Sequence, residues 1–290
     1  KRVRLEIPFH GTALSLESGW LAKQANGAVI ARQGDTMVIA TVCSADARPD
    51  QDFFPMVVEY QEKTYAAGKI PGGFIKREGR PSEQEILACR LTDRPLRPLF
   101  PEGFCNEVQI ICNVISSDGI HSPDVLGICA ASAALHISEL PFQGPIAAVR
   151  VGRVNGQLLI NPSPEMLAKS DISIVIAAKK DALVMVEGGA SMVPESEVLD
   201  ALYFGHEEIK KIIELQEELR GKVGKEKMEF VPPARDELLF GKVSQLAVPG
   251  LEAGLKVMDK LERRTALKKV EQDVLTALAE EFPERESEIK

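Results

Sequence analysis

Between Lys69 and Arg97 the chain carries seven basic side chains, Lys69, Lys76, Arg77, Arg80, Arg90, Arg94 and Arg97, against four acidic ones, Glu78, Glu83, Glu85 and Asp93. Cations gathered on one stretch of an otherwise acidic molecule focus a polyanion onto one place, and arginine forks hold phosphate through paired hydrogen bonds. Phe74, within Gly72-Gly-Phe-Ile-Lys-Arg77, adds a ring among these charges. Flexible cations beside an aromatic face suit sequence-tolerant binding of single-stranded nucleic acid, because every base can stack. Charge alone fits a solvated helix face with internal ion pairs equally well.

Other chemistries find little support. There is no G-x-x-x-x-G-K-[ST] phosphate loop, no G-x-G-x-x-G after a strand, and no H-E-x-x-H or Ser-His-Asp order among four histidines. Acidic pairs such as Asp46/Asp50 and Glu195/Glu197 are what 43 carboxylates scatter by chance. The five cysteines, Cys43, Cys89, Cys105, Cys112 and Cys129, form no C-x-x-C pair and sit in apolar contexts, so buried thiols are expected rather than disulfides or a zinc site.

The 290 residues are 44% hydrophobic, 27% charged and 5% aromatic, with a net charge of −8. That profile excludes collagen-like, low-complexity and disordered chains. No apolar run approaches the roughly 20 residues needed to cross a bilayer, and the start lacks the apolar segment of a signal peptide. A cytoplasmic protein without membrane contact is expected.

The cations must be held by the elements around them. Ala28–Arg32 and Thr36–Val42 read as strands joined at Gln33-Gly-Asp35, and Pro55–Tyr60 as a third. Tyr65–Pro81 has no period and reads as a long loop, a kind of segment that tends to be functional or disordered. Ser82-Glu-Gln-Glu85 is a capping box opening a helix from Glu83 to about Asp93, which Pro95 and Pro98 stop. Ile86, Leu87 and Leu91 form its apolar stripe, and Arg90 and Arg94 share a face. Glu107–Ile115 is a strand; Ser122-Pro-Asp124 opens a helix of small residues containing His136, read as a packed or capping residue. Asn155-Gly156 marks a hairpin. Strands follow at Asp171–Ala177 and Ala182–Val186, then helices at Glu207–Arg220, Asp236–Ala247 and Gly254–Glu281, broken around Pro249-Gly250. The expected class is α+β with a small all-α domain after it. The expected boundaries are residues 1–222 for the first domain, 223–235 for a linker and 236–290 for the helical domain.

The run Thr64-Tyr-Ala-Ala-Gly-Lys-Ile-Pro-Gly-Gly-Phe-Ile-Lys-Arg-Glu-Gly-Arg-Pro-Ser82 and the later Asp93-Arg-Pro-Leu-Arg-Pro98 closely resemble the polynucleotide phosphorylase family. The likeness continues through Ser122-Pro-Asp-Val-Leu126, Ala131-Ser-Ala-Ala-Leu135, Pro141-Phe-Gln-Gly-Pro-Ile146 and Phe204-Gly-His206, and looks closer to bacterial than to organellar members.

This resemblance implies a mixed-sheet RNase PH-like domain followed by part of a helical domain. It also implies phosphate-dependent 3′-to-5′ degradation of single-stranded RNA to nucleoside diphosphates, a homotrimer, Mg²⁺, inorganic phosphate as co-substrate, and a role in mRNA degradation, alongside an endoribonuclease or helicase. In the family the metal-binding aspartates, spaced D-x5-D before a strand, belong to a second RNase PH-like domain. Aligning that strand with Asp171–Ala177 puts Leu167 and Ser173 at the two positions, and neither supplies a carboxylate. No catalytic or metal-binding residue is therefore expected in this segment.

Phe74 matches the first of two family rings and Ile75 replaces the second, while Lys76 and Arg77 keep the charges. Arg94 and Arg97 match family arginines near the reaction centre, with Arg80 and Arg90 as additions to an RNA-holding set. A stand-alone RNA-binding or assembly module is the alternative, and an autonomous Mg²⁺-dependent nuclease a third reading.

Overall fold

The computed structural model describes residues 2–48, 51–74, 76–232, 236–283 and 285–289. Two compact units divide the chain, residues 1–232 and 233–290.

The first unit has two sheets with helices against them. Strands β1 (Val3–Phe9), β2 (Thr12–Ser18), β3 (Gly27–Gln33), β4 (Thr36–Ala45), β5 (Met56–Glu62) and β6 (Glu107–Ser116) form a six-stranded sheet in the order β1-β2-β3-β4-β6-β5. It is mixed: β5 runs parallel to β6 and every other neighbour is antiparallel. Helix α1 (Glu83–Leu96) packs on β5, and α2 (Pro123–Ile137) on β3 and β4. Strands β7 (Ala147–Val154), β8 (Gln157–Ile160), β9 (Ile172–Ala178) and β10 (Leu183–Ala190) make an antiparallel sheet ordered β10-β9-β7-β8. The short helix α3 (Pro164–Leu167) leads into β9, and α4 (Glu195–Val223) packs across β7 and β9. This is the α+β class expected.

The composition of α2 explains why it can be surrounded. Every residue from Val125 to Ile137 is buried, and the small side chains allow close approach on several sides at once. A Cβ on Gly27 would stand 2.1 Å from the Ala134 carbonyl oxygen, so β3 and α2 touch backbone to backbone. Ser132 and Gln216 are matched inside: the Ser132 hydroxyl donates to Gln216 Oε1 at 2.9 Å and accepts from the Ile146 N–H at 2.9 Å, and Gln216 Nε2 donates to the Ile146 carbonyl at 2.8 Å. That satisfied network links α2, α4 and the approach to β7.

Several boundaries differ from the sequence reading. β1 and β2 were not anticipated, although Val3, Leu5 and Ile7 alternate with Arg4, Glu6 and Pro8. α1 runs to Leu96 with Pro95 inside it; a proline in the last turn forfeits one hydrogen bond without unwinding the turns before it. Its buried face is Ala88, Leu91, Thr92, Pro95 and Leu96, whereas Ile86 and Leu87 are exposed. α4 begins twelve residues before Glu207 and does not stop at Gly221. Cys112 and Cys129 are buried, but Cys43 is exposed and Cys89 and Cys105 half-buried; all five are free thiols.

Residues 224–232, read as part of a linker, lie against the first unit. The N–H groups of Lys225 and Met228 donate to the carbonyls of Ile137 at 2.9 Å and Glu139 at 2.7 Å, and the Phe230 ring meets Phe104 edge-on at 5.4 Å. Pro233, Ala234 and Arg235 lie outside the described residues.

The second unit contains α5 (Glu237–Leu255), α6 (Lys260–Leu278) and the short α7 (Glu286–Ile289) around Leu239, Val274, Leu278, Phe282 and Ile289. Asp236 and Asp259 cap α5 and α6 through backbone amides at 2.9–3.1 Å. α5 passes through Pro249 rather than breaking there. Gln245, whose carbonyl loses its partner, is exposed to water, and a Cβ on Gly250 would meet Val270 at 2.7 Å, so α6 packs closely at that turn.

Candidate functional site

The long loop has an anchored neck and an open tip. Residues Thr64–Ala67 form a single 3₁₀ turn. Its flanks are tied to β6, Lys63 N–H donating to the Val114 carbonyl at 3.2 Å and Ser117 N–H to that of Ala66 at 3.1 Å. The Glu78 carboxylate closes the other side, accepting from the Thr64 N–H and hydroxyl, both at 2.9 Å. Between these points Gly73 and Lys76 take φ of 74° and 56°. Phe74 is completely exposed. Lys76, Arg77 and Arg80 are exposed and, among the described residues, form no ion pair. Ile75 lies outside the described residues.

Helix α1 follows directly. Ser82 Oγ accepts from Glu85 N–H at 3.2 Å, and Glu85 Oε2 accepts from Ser82 N–H at 2.7 Å, the reciprocal pair of a capping box. Glu85 Oε1 also accepts from Glu62 N–H at 2.8 Å, fixing the helix start to the end of β5. Partial burial pushes the Glu85 carboxyl up, but the amide donors of Ser82 and Glu62 outweigh it and leave its pKa below the usual value.

The three arginines of this helix region have different surroundings. Arg90 is exposed without an ion pair among the described residues. Arg94 is paired with Glu187 of β10. Arg97, just past α1, is committed inward: Nε donates to Asp93 Oδ2 at 3.0 Å, Nη1 to the Phe54 carbonyl at 3.2 Å and Nη2 to that of Met56 at 2.8 Å. Its guanidinium also lies 5.8 Å from the Phe54 ring centroid. Helical spacing gives no direction for Arg97, which lies past the expected break, and the sequence places it with Arg94 in the RNA-holding set. The loop and α1 thus present Phe74, Lys76, Arg77, Arg80 and Arg90 to solvent, with Arg94 in a surface pair and Arg97 tied to the chain before β5.

Beside α1 lies a cleft of about 710 Å³ between the first sheet's helices and the second sheet. Leu167 and Ser173 both line it. So do groups the sequence reading passed over: Glu62, Asp124, Arg150 and Glu187. Arg150 Nη2 donates to Asp124 Oδ2 at 2.7 Å, and the Tyr60 hydroxyl donates to Glu62 Oε1 at 3.0 Å. Burial raises the Glu62 carboxyl, and burial followed by the neighbouring Glu62 charge keeps the Tyr60 phenol neutral. An arginine alternating with Val149 and Val151 in a buried strand was the available signal for Arg150.

A divalent metal does not fit this cleft. Leu167 and Ser173 offer no carboxylate, and the acids that do reach it are engaged by Arg150, Arg94 and Tyr60. Among the described residues no group of three or more His, Cys, Asp or Glu side chains is placed to hold a metal ion.

Residues 12–141 match the 3′ exoribonuclease family, domain 1, and residues 144–208 match domain 2 of the same family. A polyribonucleotide nucleotidyltransferase of Sulfurihydrogenibium sp. (strain YO3AOP1) is 54% identical over 285 residues, 98% of this chain and 40% of that protein. One from Geotalea uraniireducens (strain Rf4) is 48% identical over 288 residues, 99% of this chain and 41% of that protein. The chain therefore spans about two fifths of the length of the curated relatives it matches. In structure it resembles a chain of the Archaeoglobus fulgidus exosome with RNA bound to the active site, with a TM-score of 0.54 and 20% identity over 74% of this chain and 87% of the other, a likeness of fold. With its two sheets and both matched domains, the chain belongs to the 3′ exoribonuclease family.

Proposed function

We propose that the chain is the RNA-guiding part of a longer, trimeric polyribonucleotide nucleotidyltransferase that degrades mRNA in the cytoplasm. The observation that carries this reading is the open loop tip, where Phe74 stands fully exposed and Lys76, Arg77 and Arg80 have no internal partner among the described residues. Unpaired cations release counterions on meeting a phosphate backbone, and a free ring adds stacking independent of sequence. Such a surface binds single strands without choosing among bases.

In the reaction an oxygen of inorganic phosphate attacks the phosphorus of the terminal RNA linkage. The 3′ oxygen of the shortened strand leaves, and a nucleoside diphosphate is released. This chain supplies orientation for that step: Lys76, Arg77, Arg80, Arg90 and Arg94 hold the backbone, and Arg97 sets the approach to β5. In this reading reactive phosphate and Mg²⁺ belong to a second RNase PH-like unit outside this chain, since neither Leu167 nor Ser173 holds a divalent metal as a carboxylate does. Positioning and charge stabilisation carry most of phosphoryl-transfer catalysis, so changing these cations alters rate even without touching the reacting atoms.

The test is ADP release from polyadenylate with inorganic phosphate and Mg²⁺, comparing this 290-residue chain with the complete protein. The expected result is release from the complete protein alone. Phosphate-dependent release by the chain itself would place a working centre here. Oligoadenylate binding with no release even from the complete protein would favour a binding module without enzymatic role.

A further inference from the structure

The loop neck holds a second exposed ring. Tyr65 lies on the 3₁₀ turn, one residue from the point where Glu78 clamps Thr64. The residue is 59% exposed, and its hydroxyl makes no hydrogen bond among the described residues. A largely exposed aromatic side chain whose hydroxyl has no hydrogen-bond partner among the described residues depends on its backbone for its position.

That backbone is fixed from three directions. The Val114 carbonyl accepts from Lys63, the Ala66 carbonyl accepts from Ser117, and the Glu78 carboxylate accepts twice from Thr64. The Tyr65 carbonyl itself accepts from Gly68 N–H at 2.9 Å. A ring with two side-chain torsions on so restrained a turn loses little entropy when a flat partner settles on it. Phe74, by contrast, stands at the loop tip, four residues before the Glu78 clamp.

We propose that Tyr65 is a nucleobase-stacking residue at the neck of the loop, with Glu78 as the residue that positions it. This deepens the reading of the chain as an RNA guide and rests on it. Ile75 offers no π-face, so the loop tip presents one ring, and Tyr65 supplies the second on the anchored side. Its partner is the face of any base in a single strand passing over Lys69 and the loop cations. Glu78 acts through Thr64, and its negative charge close to the strand is compensated by the geometry it fixes.

The experiment compares binding of fluorescent oligoadenylate, and of an abasic ribose-phosphate oligomer of the same length, to the complete protein and its variants. Tyr65→Ala should weaken oligoadenylate binding roughly tenfold and leave the abasic oligomer unchanged, while Tyr65→Phe should bind both like the parent. Glu78→Ala removes a negative charge, so electrostatics alone would tighten both ligands; positioning requires weaker oligoadenylate binding instead. Unchanged oligoadenylate binding by Tyr65→Ala, or an equal loss for the abasic oligomer, would overturn the stacking role while leaving the guide reading intact. Tighter binding of both ligands by Glu78→Ala would overturn the positioning role. A parent protein that binds neither oligomer would overturn the guide reading and this inference with it.

Discussion

Arg94 on α1 is ion-paired with Glu187 on β10, so a cation expected to hold RNA is met by a carboxylate from the second sheet. Both side chains are 44% exposed, and such a pair is worth no more than about 1 kcal/mol. A phosphate backbone arriving at Arg94 must compete with Glu187. In the complete protein, Glu187→Gln should tighten RNA binding about two- to threefold at low salt, with the gain fading as salt screens the site. Anisotropy titrations at two salt concentrations measure this, and unchanged affinity at both would remove Arg94 from the RNA path.

Arg97 should behave differently from its neighbour. It joins Asp93 to the carbonyls of Phe54 and Met56, so Arg97→Ala leaves polar groups that have lost a charged donor. Half-exposure reduces the loss, leaving about 1–2 kcal/mol in urea unfolding. Arg97→Lys should recover little, because an ammonium cannot reproduce the fork. Arg94→Ala should leave stability within about 0.5 kcal/mol of the parent. Equal destabilisation at both positions would mean that the inward hydrogen bonds of Arg97 carry no weight.

Local chemistry was legible in the sequence where one short segment decides the outcome. Asn155 and Gly156 take φ of 51° and 77° between β7 and β8, and Ser82 with Glu85 closes the capping box as its spacing foretold. The misread positions depend on distant partners. α4 begins twelve residues before the expected Glu207 and runs through Gly205, whose missing Cβ admits Ile176 and Val151. Of the expected stripe Ile86, Leu87 and Leu91, only Leu91 faces the core, beside Ala88, while Ile86 and Leu87 are exposed. The pairing of Arg94 with Glu187, and the clamp of Glu78 on Thr64, join residues 93 and 14 positions apart in ways that no local pattern encodes.

Close approach of β3 to α2 gives a sharp packing test. A Cβ at Gly27 would meet the Ala134 carbonyl oxygen at 2.1 Å and its carbon at 2.9 Å, atoms fixed within a buried helix. Gly27→Ala should therefore cost about 1–3 kcal/mol in urea unfolding. Gly72→Ala, where a Cβ meets nothing within 4 Å, should be close to neutral. Matching midpoints for the two variants would show that α2 can shift away from β3.

His136 should make the first unit sensitive to acid. It is 4% exposed near the end of α2, and its Nδ1 has no partner among the described residues. Burial first, then the charges of Arg220 and Lys227, pull its pKa from 6.5 down to about 3. As pH falls below 6.5 the unfolded chain takes up a proton that the folded chain refuses, so this contribution to stability is complete above 6.5 and declines toward 3. His136→Gln removes the titration without removing the polar volume. Between pH 7 and pH 4.5 the parent should lose about 2 kcal/mol more than the variant in urea unfolding. Parallel losses would assign the acid sensitivity to another group, whatever the starting stability of the variant.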